Sequence, residues 1–196
     1  MNNVVEYIKF DEYPLIIVTD IHSNLLNLMR VKQLYPKNKI ICLGDIVNLW
    51  DKGIGDLNHK IIDYFIQNNI KCLQGNHDEW VGGNRTKYRI SSEQESYLVN
   101  LPVGFVIDFP DGKTYKCYHY RPRDFWSMEE PKNLSYLGFC DAYGSVDDND
   151  GVIIGHLHKL FIINYANARR KFMGVGALKF GEYAILTENG LEHKKL

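Results

Sequence analysis

Leu15-Ile-Ile-Val-Thr-Asp-Ile-His22, Lys39-Ile-Ile-Cys-Leu-Gly-Asp45 and Ile70-Lys-Cys-Leu-Gln-Gly-Asn-His-Asp78 follow one plan. Each is a short apolar run that stops abruptly in Asp, His or Asn. A short apolar run of this kind reads as a strand covered on both faces. Two segments of helical spacing lie between the runs. Leu25, Leu28 and Met29 mark the first, with Asn24 as its N-cap, and Leu57, Ile61, Ile62, Phe65 and Ile66 mark the second. This βαβαβ order implies three parallel strands joined by right-handed crossovers.

Further along, Ser92-Glu-Gln-Glu95 reads as a capping box that opens a helix ending near Leu101-Pro102. Strands then dominate, at 103–109, 115–119, 152–154, 160–163 and 183–186, with a helix expected around Asn133 to Tyr143. Parallel strands followed by a strand-rich second half predict an α/β fold, two packed sheets flanked by helices. One domain over residues 1–196 fits the length, at roughly 150 residues per domain.

Composition narrows the function. With 45% hydrophobic and 24% charged residues, the chain is globular and not disordered. Lys+Arg is 23 against Asp+Glu 24, so the net charge of -1 gives no general attraction to nucleic acid or to a membrane surface. The longest apolar runs, such as Leu15 to Val18, are too short to cross a bilayer. The opening Met1-Asn-Asn-Val-Val-Glu6 has neither the basic nor the apolar part of a secretory signal. Cys42, Cys72, Cys117 and Cys140 show no CxxC spacing, so they read as reduced thiols. The expectation is a cytoplasmic protein with no membrane or obligate nucleic-acid partner.

The chemistry lies where the apolar runs stop. Loops at the carboxyl ends of parallel strands converge on one crevice. That places Asp20, His22, Asp45, Asn76, His77 and Asp78 together. His119 ends a later strand, and Gly155-His-Leu-His158 follows another, so five of the seven histidines lie in these motifs. Oxygen and imidazole donors in this mixture suit divalent manganese, iron or zinc better than calcium or a thiolate site. The Asp-x-His and His-x-His spacings would turn both side chains of each pair the same way on an extended strand end. So many donors exceed one ion and suit two, about 3.5–4 Å apart.

The ordered motifs D-x-H, G-D, G-N-H-D, H and G-H-x-H, from Asp20 to His158, resemble those of the calcineurin-like metallophosphoesterases. The short chain, Asp20-Ile-His-Ser-Asn24 and Gly155-His-Leu-His158 are most similar to the small bacterial and archaeal phosphodiesterase group. The resemblance implies a four-layer α/β/β/α sandwich. It also implies two divalent ions, manganese first and iron, zinc or nickel as alternatives. Asp20, His22 and His158 would hold one ion, Asn76, His119 and His156 the other, and Asp45 both. A hydroxide shared by the ions would attack phosphorus in line. His77 would act on the phosphoryl oxygens or the leaving group, and Asp78 would orient His77.

The sequence departs from the family at two places that face substrate. His119 is followed by Tyr120-Arg-Pro-Arg123, and the usual Asn-Pro-Gly-Ser is Gly174-Val-Gly-Ala177. Arg121, Arg123 and Trp126 are candidate substrate contacts, an arginine fork for phosphate and an indole for stacking. Trp50 and Trp80 follow two of the motifs, and core packing accounts for at least one of them. Arg169-Arg-Lys171 reads as an exposed turn. The expected reaction is hydrolysis of a phosphodiester of a small molecule or nucleotide. Phosphomonoester and dinucleoside-polyphosphate hydrolysis are the nearest alternatives. The non-catalytic retromer scaffold shares the fold, but such a scaffold has no use for His77.

Overall fold

A computed structural model of the chain describes residues 4–49, 55–120, 150–165 and 171–196. The strands in chain order are β1 (Val5–Lys9), β2 (Leu15–Val18), β3 (Ile40–Cys42), β4 (Lys71–Cys72), β5 (Gly104–Asp108) and β6 (Thr114–Tyr118). They continue with β7 (Gly151–Ile154), β8 (Leu160–Asn164), β9 (Lys171–Val175), β10 (Glu182–Thr187) and β11 (Gly190–Lys195). The helices are α1 (Leu25–Leu34), α2 (Gly55–Gln67), α3 (Asn76–Gly82), α4 (Arg85–Tyr88) and α5 (Ser92–Val99).

Two mixed sheets result. One has the order β11-β10-β2-β3-β4, with β2, β3 and β4 parallel as the βαβαβ reading requires. The other has the order β1-β5-β6-β7-β9-β8. The period-two geometry of β2 explains why every one of its residues is apolar. Leu15 and Ile17 enter the layer between the sheets with Phe105, Ile107, Ile153 and Met173. Ile16 and Val18 face the other way, under Leu28 and Val31 of α1, Phe65 of α2, Val81 of α3 and Leu98 of α5. Each such side chain contributes about 1.5–3 kcal/mol by leaving water. The helix expected around Asn133 to Tyr143 lies outside the described residues.

Three strands escape the sequence reading. β1 is a half-exposed edge strand, and β11 is a polar strand closed onto β10 by a turn at Gly190, where φ is +120°. β9 begins at Lys171, which therefore opens a buried strand and does not merely end a charged turn. The capping box also moves by one residue. The N-cap is Ser91, whose hydroxyl accepts from Gln94 N–H at 3.1 Å while Gln94 Oε1 accepts from Ser91 N–H at 3.0 Å. Gln94 Nε2 also donates to Asp63 of α2 at 2.7 Å, a tertiary contact that selects this frame over Ser92 and Glu95. Cys42, Cys72 and Cys117 are free and buried. Among the described residues, no helix is long and apolar enough to cross a membrane.

Candidate metal centre

The sequence-predicted donors meet at one end of β2, β3, β6 and β7. Asp20 and His22 follow β2, Asp45 follows β3, Asn76 and His77 open α3, His119 follows β6, and His156 and His158 follow β7. Their backbone differs from the expected extended strand ends. Asp20, His22, Asp45, His156 and His158 all have left-handed φ, between 46° and 63°. Asp, His and Asn tolerate this region better than other non-glycine residues. Each such residue still stores on the order of 1–2 kcal/mol, which the surrounding structure must overcome. The i and i+2 pairs reach the centre through a tight turn, not through the pleat.

Hydrogen bonds lace the loops together. Asp20, His22 and Ser23 N–H donate to the carbonyls of Gly44, Asp45 and Ile46 at 2.8–3.0 Å. The next loop hangs on Asp78, whose carboxylate accepts from the N–H groups of Asp45 (2.8 Å), Ile46 (3.0 Å), Val47 (3.3 Å) and Gly75 (2.9 Å). Asp78 therefore has no oxygen left for His77, and its expected role as the orienting partner of His77 is corrected. Burial and the nearby Asp45 charge push its pKa up, to about 7, against the pull of these donors. Glycines admit the close approach. A Cβ at Gly75 would strike Asp45 Oδ1, and one at Gly155 would strike Thr19 Oγ1.

The donor atoms form three overlapping groups, Asp20–His22–His158, His22–Asp45–His77 and Asp45–His119–His156, each with its ligand atoms within 4.8 Å of one another. Asp20 has one oxygen engaged, since Oδ2 accepts from Thr19 Oγ1 (2.7 Å) and His156 N–H (2.9 Å). Its Oδ1 lies 2.9 Å from His158 Nε2, but without hydrogen-bond alignment, and is buried without a donor. Asp45 is similar. Oδ1 accepts from His77 N–H at 2.8 Å, while Oδ2 stands 3.4 Å from His119 Nε2 and 3.9 Å from His22 Nε2. Asn76 Oδ1 lies 3.2 Å from His119 Nε2 and 3.0 Å from His156 Nδ1. Bare oxygens and ring nitrogens crowded this way fit cations, because the buried acceptors lack enough protons to satisfy them. Oxygen and nitrogen donors of this kind suit manganese, iron or zinc.

The neighbours of two histidines set different tautomers. His119 Nδ1 lies 2.7 Å from the carbonyl of Leu43, so it carries the proton and Nε2 is free to ligate when the ring is neutral. His77 is the reverse. Its Nδ1 accepts from Leu49 N–H at 3.2 Å, so the neutral ring carries its proton on Nε2, 4.0 Å from Asp45 Oδ2. That nitrogen offers a proton, not a lone pair. Burial lowers the pKa of His77, with Asp45 opposing, which keeps the ring neutral near pH 7. Burial also lowers His22, to about 4. For His119, burial favours the neutral ring, but the adjacent Asp45 carboxylate overcomes it and raises the pKa to about 10. Asp45 itself is held well below the carboxylate range: burial would raise it, and His119 more than offsets this.

The cleft over the cluster holds about 500 Å³ and is lined also by Asn24, Asn48 and Lys179. Sequence reading missed Lys179, because nothing marks a lysine in an irregular segment. Asn24 is the N-cap of α1 as expected, its side chain accepting from Asn27 N–H at 3.2 Å. Trp80 is 54% exposed and so is not a core residue. Arg121, Arg123, Trp126 and Trp50 lie outside the described residues.

Residues 14–185 match the Calcineurin-like phosphoesterase superfamily domain, and the chain belongs to this family of metal-dependent phosphoester hydrolases. Among solved structures, it is similar to a metallophosphoesterase from Sphaerobacter thermophilus, at 19% identity and TM-score 0.69, over 95% of this chain and 89% of that one. It is also similar to an archaeal phosphodiesterase (16%, TM-score 0.56, 94% and 100% covered). A third similar structure is Yfce, a phosphoesterase from E. coli (15%, TM-score 0.55, 91% of each chain covered). At these identities the likeness is one of fold. No curated protein matches.

Proposed function

We propose that the chain hydrolyses a phosphodiester of a small molecule or nucleotide at this centre, with two divalent ions, manganese first. The observation that carries the reading is a pair of carboxylate oxygens set among the histidines, Asp20 Oδ1, which is buried without a donor, and Asp45 Oδ2. Asp20 Oδ1 lies in one histidine cluster, and Asp45 Oδ2 lies between that cluster and a second one. Asp20, His22 and His158 would hold one ion, Asn76, His119 and His156 the other, and Asp45 would serve both. Such ions supply Lewis acidity that lowers the pKa of water and screens the phosphoryl charge.

The residues of the chain do the rest. Thr19 and the His156 N–H turn Asp20 toward the centre. Asp78 holds the loop that carries Asp45. His77 presents Nε2–H to a phosphoryl oxygen or to the departing alkoxide of an in-line displacement, and Leu49 N–H keeps that proton on Nε2. The diester preference rests on the resemblance of the motifs to those of the small phosphodiesterase group.

The test is turnover of bis-nitrophenyl phosphate against nitrophenyl phosphate by manganese-loaded protein. The expected result is a higher kcat/KM for the diester, a measure of differential transition-state binding. A tenfold or greater preference for the monoester would move the assignment to a phosphomonoesterase.

A further inference from the structure

The cleft contains a cation that neither the family motifs nor the metal centre accounts for. Lys179 lies in the short 3-10 turn Leu178–Phe180. The turn is clamped to the loop that carries Asp20 and His22. Leu178 N–H donates to Thr19 O at 2.9 Å and Lys179 N–H to Asp20 O at 3.1 Å. Asn27 Nδ2 donates to Leu178 O at 2.8 Å, and Asn24 Nδ2 to Lys179 O at 3.4 Å. The Lys179 backbone is thus fixed relative to the centre from both α1 and β2.

The side chain lines the same cleft as His22, Asp45, His77 and His158. Its ammonium rests 5.0 Å from the centroid of Phe180, and the same ring stands 6.1 Å from His158. Among the described residues, Lys179 makes no ion pair with a carboxylate. The oxygens that could have paired with it are turned inward. Asp20 Oδ1 faces His158, and Asp45 Oδ2 faces His119. The ammonium at the rim, attracted by Asp20 and Asp45 but paired with neither, is open to an anion from outside.

We infer that Lys179 is a substrate-binding residue whose ammonium contacts a non-bridging phosphoryl oxygen of the phosphoester. The inference rests on the phosphoesterase reading of the site. Lysine suits the place because it acts as a compact point charge on one oxygen, without the bidentate geometry an arginine fork demands. That charge is present on the bound substrate as well as in the transition state, so the contact belongs to binding more than to the chemical step.

The experiment uses full-length, manganese-loaded protein and two variants, Lys179→Met and Lys179→Arg. Orthophosphate affinity is read by calorimetry, metal content by elemental analysis, and kcat and KM on bis-nitrophenyl phosphate. In Lys179→Met, phosphate affinity should fall and KM should rise, each about tenfold, the loss expected for one charge-assisted hydrogen bond. Metal content should not change, and kcat should stay within about threefold, as uniform binding predicts. Lys179→Arg should recover most of the phosphate affinity. Unchanged phosphate affinity in Lys179→Met would overturn the proposal, as would loss of metal or a fall confined to kcat. Wild-type protein that binds phosphate through Lys179 yet cleaves no phosphoester would instead overturn the function and leave this contact standing.

Discussion

The two ends of β2, β3 and β4 are built on opposite terms. At the carboxyl end, Asp20, Asp45 and Asp78 are at most 2% exposed, and five donor residues sit in left-handed backbone. At the amino end, a cavity of about 390 Å³ is lined by Lys32, Lys37, Lys39 and Lys71, along with Phe10 and Tyr64. Charge there stays at the surface and pairs outward, Lys39 with Asp11 at 3.8 Å and Lys71 with Glu6. The same strands and the same two cores support both ends. One end keeps its charges hydrated, at little cost. The other removes carboxylates from water and strains the backbone, which lowers stability unless a ligand completes the set. The contrast locates the chemistry independently of any motif.

The largest break of this contrast should come from Asp45→Asn, which weakens the donor proposed to serve both ions. Metal content should fall at both positions, and turnover should drop by orders of magnitude. A metal-replete Asp45→Asn protein with near wild-type turnover would mean that Asp45 does not join two ions.

His77→Ala should spare metal content and the fold but reduce the chemical step about 10²–10⁴-fold, as for a general acid. The loss should be larger on diesters with a nucleoside leaving group than on nitrophenyl diesters, since nitrophenolate departs without a proton. Equal losses would assign the Nε2 proton to a phosphoryl oxygen instead. Loss of metal would show that His77 is a ligand.

Asp78→Asn should act on stability. An amide cannot accept from all four N–H groups and sets its own N–H against some of them. Unfolding in denaturant should register about 3 kcal/mol of destabilisation. A change under about 0.5 kcal/mol would show that the loop of Asp45 holds without Asp78.

Removing the metals should give stability a characteristic pH dependence. His22 has a folded pKa of about 4 against 6.5 for the free side chain, so its contribution is complete above pH 6.5 and is lost as pH falls toward 4. His119 has a folded pKa raised to about 10, so its contribution is complete below 6.5 and is lost as pH rises toward 10. Below pH 7 the raised pKa of Asp78 opposes the effect of His22, so chelated protein should lose stability most clearly from pH 7 to pH 10 when denaturant midpoints are compared from pH 4 to pH 10. A steady rise over that whole range would remove the support for a protonated His119.

The smallest effects belong to the amino end. Lys39→Ala and Lys71→Ala should each change stability by less than about 1 kcal/mol, as for exposed pairs, and leave turnover untouched. A loss of turnover in either would break the contrast between the two ends.

The parallel strands and the donors at their ends were legible because both signals are local: an apolar run that stops in Asp, His or Asn shows in consecutive residues. β11 was not legible, because its six residues are largely polar and are a strand only by pairing with β10. β9 was obscured by the charged residues leading into it. Asp78 was singled out as a partner of His77, and the four backbone N–H groups it accepts from instead have no signature in the sequence. Lys179 was not singled out at all.

The sequence by itself determined which residues gather at the centre, since strand order and strand ends follow from short-range hydrophobic patterning. Only the tertiary structure decided what each can do there. The Leu43 carbonyl accepts from His119 Nδ1–H, so that Nε2 of His119 can ligate once the ring is neutral, and the Leu49 N–H leaves His77 Nε2 protonated, so two imidazoles become a ligand candidate and a proton donor. Four backbone N–H groups make Asp78 a fastener for the loops. A carboxylate or an imidazole takes its function from the donors and acceptors around it, and here these come from distant segments brought together only by packing.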